Sequence, residues 1–579
     1  MSINVSKVRR EELIKKIEII RENLLMNAPN DEFEVWLKDI SAELKSYKYG
    51  LVFEEHVEKV DNDLLTNIPV FKENEERELY RGDNVNFLIE GDNLPALNLL
   101  HKTHKRKIDY IYIDPPYNTL NKDFKYDDVY VDINDDYKHS MWLSFMKKRL
   151  LLAHSLLKDE GCIMISINEE ELFELKMLCD EIFGHKNYMT TFSVKVRHED
   201  RILKGDKDYH EVMEYMLMYR KSSKFKVIKK LVDNTSLEEY IYTVEEKINN
   251  PEIEIIGGKE VSIFKPGEYE IKKMIPSESN LKKINIRGSI KEGNSSGRFF
   301  MKYLNEFIGE KPGYLFKVPN MGNDGLGHRY FQIPLNKKRV NGDYYQGVPI
   351  DRTDIKEVPY SNFLDFESSF NTVGYEGGVE FRNGKKPMDF IEKCFEMGGV
   401  VLNKDAIVLD FFAGSGTTGH TLMRLNKLDN GNRKFILITN NEKKICEEIT
   451  YTRLKKAIEE SEYQESLKYY KVDFVNIENK VYYEYANELL NYIKELIQIE
   501  YGIDFKSSRD FKIILTDEEL DEFIESDSNC KKLYLGHDIL LELSVEDLIK
   551  SKNIELVRIP NYYYSEMIRI PDYYVATAR

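Results

Sequence analysis

The chain has 579 residues, enough for two to four domains and a sizeable core. Hydrophobic residues make up 42% and charged residues 32%, the balance of a globular protein, and no apolar run reaches membrane-spanning length. A formal net charge of −17 argues against nucleic acid unless basic residues are concentrated locally, and five scattered cysteines argue against a disulfide framework or a Cys-based zinc site.

The N-terminus runs into alternating charges without the apolar core of a signal peptide. A reducing, cytoplasmic location with no metal and no membrane association is expected. Residues 8–48 carry two helical patterns. Leu13, Ile17, Ile20 and Leu24 share one stripe; Phe33, Trp36, Ile40 and Leu44 follow a plausible cap at Asn30-Asp31. They predict a helical N-terminal region, and no chemistry is assigned to it.

Asn86 to Ile89 predicts a strand, Gly91-Asp92-Asn93 a turn, and Pro95 suits the first turn of a helix to His101. The next strand, Ile111 to Ile113, ends on Asp114-Pro115-Pro116-Tyr117. Consecutive prolines cannot continue a ladder, so the backbone turns stiffly there. An acid, a rigid carbonyl and a ring are thereby presented at the carboxyl edge of a strand, where open α/β sheets bind ligands. The βαβ step predicts Asp92 and Asp114 on neighbouring strands at one edge.

A polar loop spans 118–140, too long for an ordinary connection. A helix is expected from Met141 to Lys158, a strand from Cys162 to Ile167, and a helix from Glu169 to Phe183 capped by Asn168. Strands near Thr191–Val196 and Val212–Tyr219 follow. This alternation predicts an α/β fold with a parallel sheet.

The regularity dissolves over 222–374. Lys272, Lys273, Lys282, Lys283, Arg287, Lys291, Arg298, Lys302, Lys337, Lys338 and Arg339 alternate there with tyrosines and phenylalanines. That is the local basic footprint a nucleic-acid partner requires. Lys282, Lys283, Arg287, Lys337, Lys338 and Arg339 are the candidate phosphate contacts.

The α/β pattern resumes at Lys385-Lys386-Pro387. A helix from Met388 to Met397 and a strand from Ala406 to Asp410 lead into Phe411-Phe412-Ala413-Gly414-Ser415-Gly416-Thr417-Thr418-Gly419. A helix from His420 to Leu425, a strand from Phe435 to Thr439, the turn Asn440-Asn441-Glu442 and a helix from Lys443 to Ile458 complete it. In the tail, a helix from Tyr482 to Ile499 precedes a small strand–helix unit.

Gly414, Gly416 and Gly419 satisfy the G-x-G-x-x-G fingerprint, in which a ligand approaches bare backbone. An NAD-dependent oxidoreductase is one reading, but it leaves Asp114 to Tyr117 and the basic segment unexplained. S-adenosylmethionine explains more: it also wants a glycine loop and a ribose acceptor on the next strand. Its methyl group is electrophilic, so a nucleophile only has to be held in line. An aromatic amine is a poor nucleophile, and acceptors on both its protons favour the pyramidal transition state. Asp114 and the carbonyl of Pro115 would accept; Tyr117 would stack on a flipped base. In that role the carboxyl of Asp114 need not be shifted upward.

Phe412-Ala413-Gly414-Ser415-Gly416 and Asp114-Pro115-Pro116-Tyr117 resemble the cofactor and catalytic motifs of amino-group DNA methyltransferases, in the permuted order of the β group. Tyr49 to Glu54, Leu88 to Asn93, Tyr112 to Thr119, Trp142 to Met146 and Gly161 to Ile167 further resemble modification (Mod) subunits of type III restriction–modification systems. The resemblance implies a Rossmann-like methyltransferase fold, an inserted α+β target-recognition domain and a small C-terminal α/β appendage. The expected boundaries are 1–75, 76–221, 222–374, 375–475 and 476–579. It implies adenine N6 as the methyl acceptor, with cytosine N4 or a methyltransferase without a restriction partner as the alternatives. Asp92 would contact the cofactor's adenine. Asp410, Phe412, Gly414, Gly416 and Thr417 would surround its methionine part, flanked by Lys386 and Pro387. Asn440, Asn441 or Glu442 would hold the ribose. Double-stranded DNA, a second copy of the chain and a restriction (Res) subunit are the implied partners.

Overall fold

Alternate side chains of a strand point to opposite faces, and a strand covered on both faces is apolar throughout. Strand Ile108–Ile113 shows this: every residue but Asp109 is buried. Ile111 and Ile113 join the core beneath helices Asn93–His104 and Lys138–Leu156. Tyr110 and Tyr112 face the other way, against Phe395 and Phe390 of helix Met388–Gly398, with ring centroids 5.7 and 6.4 Å apart. The computed structural model describes residues 14–18, 53, 56–118, 138–200, 209–234, 236–286, 295–336, 341–353, 355–379, 381, 384–460, 463–480, 485, 488–506, 509–526, 530–536 and 539–559.

That strand lies in a ten-stranded sheet. In spatial order its strands are Asn67–Glu73, Glu465–Asn476, Asn84–Glu90, Lys434–Thr439, Ile407–Asp410, Ile108–Ile113, Leu157–Ile167, Met213–Arg220, Tyr188–Lys195 and Phe363–Asp365. From Glu465–Asn476 to Leu157–Ile167 all neighbours are parallel. Asn67–Glu73 and Met213–Arg220 flank this block in antiparallel sense. The fold is α/β, with helices on both faces.

Asp92 and Asp114 lie at the same edge but not on neighbouring strands. Lys434–Thr439 and Ile407–Asp410 insert between theirs. Val408, Leu409, Leu437 and Ile438 are fully buried, and such strands need the covered centre of a sheet. The neighbour of the Asp114 strand is therefore the Asp410 strand, with Leu409 beside Ile111.

Residues 67–73, within the stretch expected to be helical, form an edge strand. The helix expected from Glu169 is Leu172–Cys179, because Asn168 Oδ1 accepts from the Glu170 amide and closes a turn first. The predicted helices over 8–48 lie outside the described residues except for a helical 14–18, and most of the 118–140 loop also lies outside them.

Residues Lys229–Tyr360 form a separate compact unit. Its eight-stranded sheet is antiparallel throughout, with a core that includes Val261, Ile263, Phe299, Phe316, Phe331 and Tyr344. Residues 363–374, expected to belong to the insertion, instead supply a strand and a helical turn of the main unit. Near the C-terminus, Phe511–Ile514, Lys532–Leu535 and Glu555–Arg558 make a three-stranded parallel sheet with its own core.

Candidate functional site

The turn after Ile113 is fixed from one side by Trp142, whose Nε1 donates to the Pro116 carbonyl at 2.8 Å. The Pro115 carbonyl accepts no bond from the described residues. The Tyr117 hydroxyl lies 2.7 Å from Asp114 Oδ1 and 3.1 Å from Glu214 Oε2. Lys386 Nζ stands among them, 3.1 Å from Asp114 Oδ1, 3.0 Å from Glu214 Oε2 and 2.7 Å from the Tyr117 oxygen. The ammonium also lies 5.0 Å from the centre of the Tyr117 ring.

Burial pushes the carboxyl of Asp114 above its ordinary range, against the pull of Lys386 and with Glu214 adding to the rise. The proposed acceptor role does not require that rise; burial imposes it. Burial alone would lower the Lys386 ammonium, but Asp114 and Glu214 outweigh it and hold it above its usual value. Burial and the two carboxylates keep the Tyr117 phenol neutral.

One strand away, Asp410 opens the glycine loop. Its carboxylate accepts from the Phe412 amide at 3.0 Å and from Thr418 Oγ1 at 2.6 Å. Burial pushes it up to about 7, with those two bonds working the other way. Gly414 and Gly416 have φ of +48° and +74°, the left-handed region that favours glycine. A Cβ at Gly414 would meet no heavy atom nearer than 3.8 Å, so its surroundings are open. At Gly419 a Cβ would come within 2.9 Å of Leu437, so this glycine lets helix Thr417–Asp429 approach the sheet.

Thr417 Oγ1 accepts from Arg453 at 2.6 Å. The same buried guanidinium reaches Glu376 at 3.4 Å, and Glu376 accepts the Met388 amide just after Lys386 and Pro387. One arginine thus braces the glycine loop to the Pro387 corner. Asp410 and Thr417 have their side chains taken up inside the loop; the backbone and the Phe412 ring are what it offers a ligand.

Asp92 caps helix Asn93–His104 through Oδ1, which accepts from Leu94 N at 2.7 Å. The buried Arg149 donates to that oxygen at 3.2 Å and grips Glu58 with two bonds of 2.9 Å. Burial would raise the Glu58 carboxyl, but Arg149 and Lys148 hold it below its usual value. Asn93 Nδ2 donates to the Phe411 carbonyl at 2.8 Å, joining the Asp92 turn to the glycine loop. Phe145 stacks under the Arg149 guanidinium at 3.6 Å and meets Phe412 at 5.9 Å. Asn441 donates to Glu90 Oε1 at 3.1 Å and accepts from the Glu447 amide at 3.2 Å, so it holds its own turn; Asn440 and Glu442 adjoin it.

Of the predicted phosphate contacts, Arg287, Lys337, Lys338 and Arg339 lie outside the described residues. Lys282 pairs with Glu239 and Lys283 with Asp343 at 3.0 Å, both within the Lys229–Tyr360 unit.

Sequence reasoning missed Glu214, Glu58, Arg149, Glu376 and Arg453. Two of them carry a readable signal: Arg149 falls on the apolar stripe of Trp142, Phe145, Met146 and Ala153, and Glu214 stands just ahead of the apolar run Tyr215 to Tyr219 of its strand. An ionised group in an apolar pattern implies a buried partner.

Residues 108–452 match the N6/N4 DNA methylase family. The EcoPI Mod subunit of a type III restriction–modification enzyme from Escherichia phage P1 is 29% identical over 62% of this chain and 58% of its own length. The StyLTI Mod subunit from Salmonella typhimurium is 30% identical over 61% of this chain and 52% of its own. The type II methyltransferase M.KpnI from Klebsiella pneumoniae is 31% identical over 61% of this chain and 79% of its own. The matched region spans little more than half the length of those Mod subunits. With the glycine loop and the Asp114 turn on adjacent strands inside the matched span, the chain belongs to the N6/N4 family of DNA methylases.

Proposed function

We propose that this chain transfers a methyl group from S-adenosylmethionine to adenine N6 at a short DNA sequence, as the modification subunit of a type III restriction–modification system. The observation that carries the reading is the adjacency of two strand ends. One offers Asp114 Oδ2 and the Pro115 carbonyl as acceptors, and the other offers a bare-backbone glycine loop.

S-adenosylmethionine supplies an electrophilic methyl group when bound. The residues fit it: open backbone at Gly414, the Phe412 ring, and the Asp92 oxygen that neither the helix cap nor Arg149 engages. The turn 440–442 follows the adjacent strand, where the ribose is expected. A base in duplex DNA cannot reach the Asp114 turn, so it is flipped out and its amine is held by Asp114 and the Pro115 carbonyl. Those two acceptors orient the nitrogen lone pair and favour the pyramidal transition state. The Lys229–Tyr360 unit is assigned to target recognition, the cytoplasm as the location, and a second copy and a Res subunit as the protein partners.

Asp114→Ala tests the assignment. Methyl transfer into unmodified genomic DNA is expected to fall by about 10²–10³-fold, while S-adenosylmethionine binding, measured by calorimetry, persists. A variant that methylates at the native rate sinks it.

A further inference from the structure

We propose that Glu214 is the terminal proton acceptor of the site, reached from Asp114 through the hydroxyl of Tyr117. The inference rests on the methyltransferase reading above and assigns it a residue outside the motifs that suggested it. Glu214 arrives on strand Met213–Arg220, from the antiparallel side of the sheet. The four residues Met216 to Tyr219 of that strand are buried and apolar, so the glutamate marks where the strand leaves the core for the reaction site.

Two carboxylates this close repel unless a cation separates them. Lys386 does so with one ammonium against both, at 3.1 and 3.0 Å. The phenol hydroxyl bridges the same two acids at 2.7 and 3.1 Å. It has one proton and two acceptors, so shifting that proton from one acid to the other is a change of partner within bonds already formed.

When the target nitrogen takes the methyl group, the nitrogen–carbon bond forms. The sulfur–carbon bond breaks and leaves its electron pair on sulfur. The nitrogen now carries one proton too many and gives it to Asp114. The protonated carboxyl turns about its Cβ–Cγ bond, which brings the proton from the Oδ2 side to face the Tyr117 oxygen, and donates it as the phenol passes its own proton to Glu214. Asp114 is ionised again, Tyr117 is unchanged, and Glu214, whose side chain keeps 18% of its surface exposed, returns the proton to water. Lys386 stays charged throughout, in keeping with the rise that Asp114 and Glu214 impose on it.

Two conservative changes test the relay in the full-length chain. Glu214→Gln keeps the shape and removes the proton acceptor; Tyr117→Phe keeps the ring and removes the bridge. Single-turnover transfer of labelled methyl from S-adenosylmethionine into unmodified genomic DNA is expected to slow by about tenfold or more in each. KM for DNA and calorimetric binding of S-adenosylmethionine are expected to stay within about twofold of native. The double variant is expected to be no slower than the slower single variant, because both changes cut one path. Glu214→Asp is expected to recover part of the rate. Additive losses, or a Glu214→Gln rate within about twofold of native, overturn the relay. A native chain that methylates no DNA instead overturns the methyltransferase reading on which the relay stands, and an Asp114→Ala chain that methylates normally overturns Asp114 as the first acceptor and the relay with it.

Discussion

A single carboxyl can both build a loop and make the fold sensitive to pH. Asp410 is that residue: it is buried, bonded to its own loop, and shifted up to about 7 from an ordinary 3.8. Below the ordinary value the folded and unfolded chains both hold the proton. As pH rises, the unfolded chain ionises first, so the group's contribution to stability falls until the folded carboxyl ionises near 7. Asparagine has no proton to lose. The stability difference between native chain and Asp410→Asn is therefore expected to move in the variant's favour between pH 4.5 and 7.5 (roughly the window spanned by the two values). Urea unfolding at both pH values checks this; a constant difference would assign the shift to another group. Asp114, Tyr117, Gly414 and Gly416 are legible from the chain because turn chemistry is local: prolines stop a strand and glycines permit positive φ. Arg453 is not, and for Glu214 and Arg149 the sequence signals only that a buried partner exists, because the partners lie far away in sequence and only tertiary packing brings them together.

At the scale of one element, strand Leu281–Asn285 separates two lysines that look alike in sequence. Successive side chains of a strand face opposite ways. Lys283 ties down Asp343, which is only 4% exposed, whereas Lys282 pairs with a Glu239 that is 70% exposed. A buried acid that loses its cation is costly even where an amide still bonds it, as Asn285 does Asp343 at 3.0 Å; an exposed acid is not. Lys283→Ala is therefore expected to lower the melting temperature. Lys282→Ala is expected to leave melting unchanged and to reduce the slope of log affinity for DNA against log salt by about one. Anisotropy titrations over a salt series and thermal melts separate the two. Equal behaviour of both variants would show that the pairing does not distinguish their roles. Element boundaries were misread for the same kind of reason. Asn168 looks like a helix cap, yet it closes a turn, and the helix waits for Leu172.

For the molecule as a whole, α/β class and motif order are legible from the alternation of strand and helix, but strand neighbours are not. Nothing in the sequence around Asn84–Glu90 or Ile108–Ile113 announces that two later strands will part them. The inserted unit, by contrast, is separable by construction. Its first and last strands pair, with Lys230 beside Val358, so the chain enters and leaves at one place, and its cores are its own. Replacing Lys229–Tyr360 by a short Gly/Ser linker is expected to leave a cooperatively melting protein that binds S-adenosylmethionine within about threefold of native and has lost DNA affinity. Calorimetry and anisotropy read the two; an excised chain that cannot fold would show that the unit supports the sheet. The interleaved sheet also sets a clock for synthesis. Ile108–Ile113 leaves the ribosome on the order of three hundred residues before Lys434–Thr439. At ~5–20 residues per second, that is some tens of seconds during which the centre of the sheet is missing and two apolar strand edges stand open. A nascent chain of this design needs a chaperone's shelter in proportion to that delay, and slowing translation late in the message is the step most exposed to aggregation.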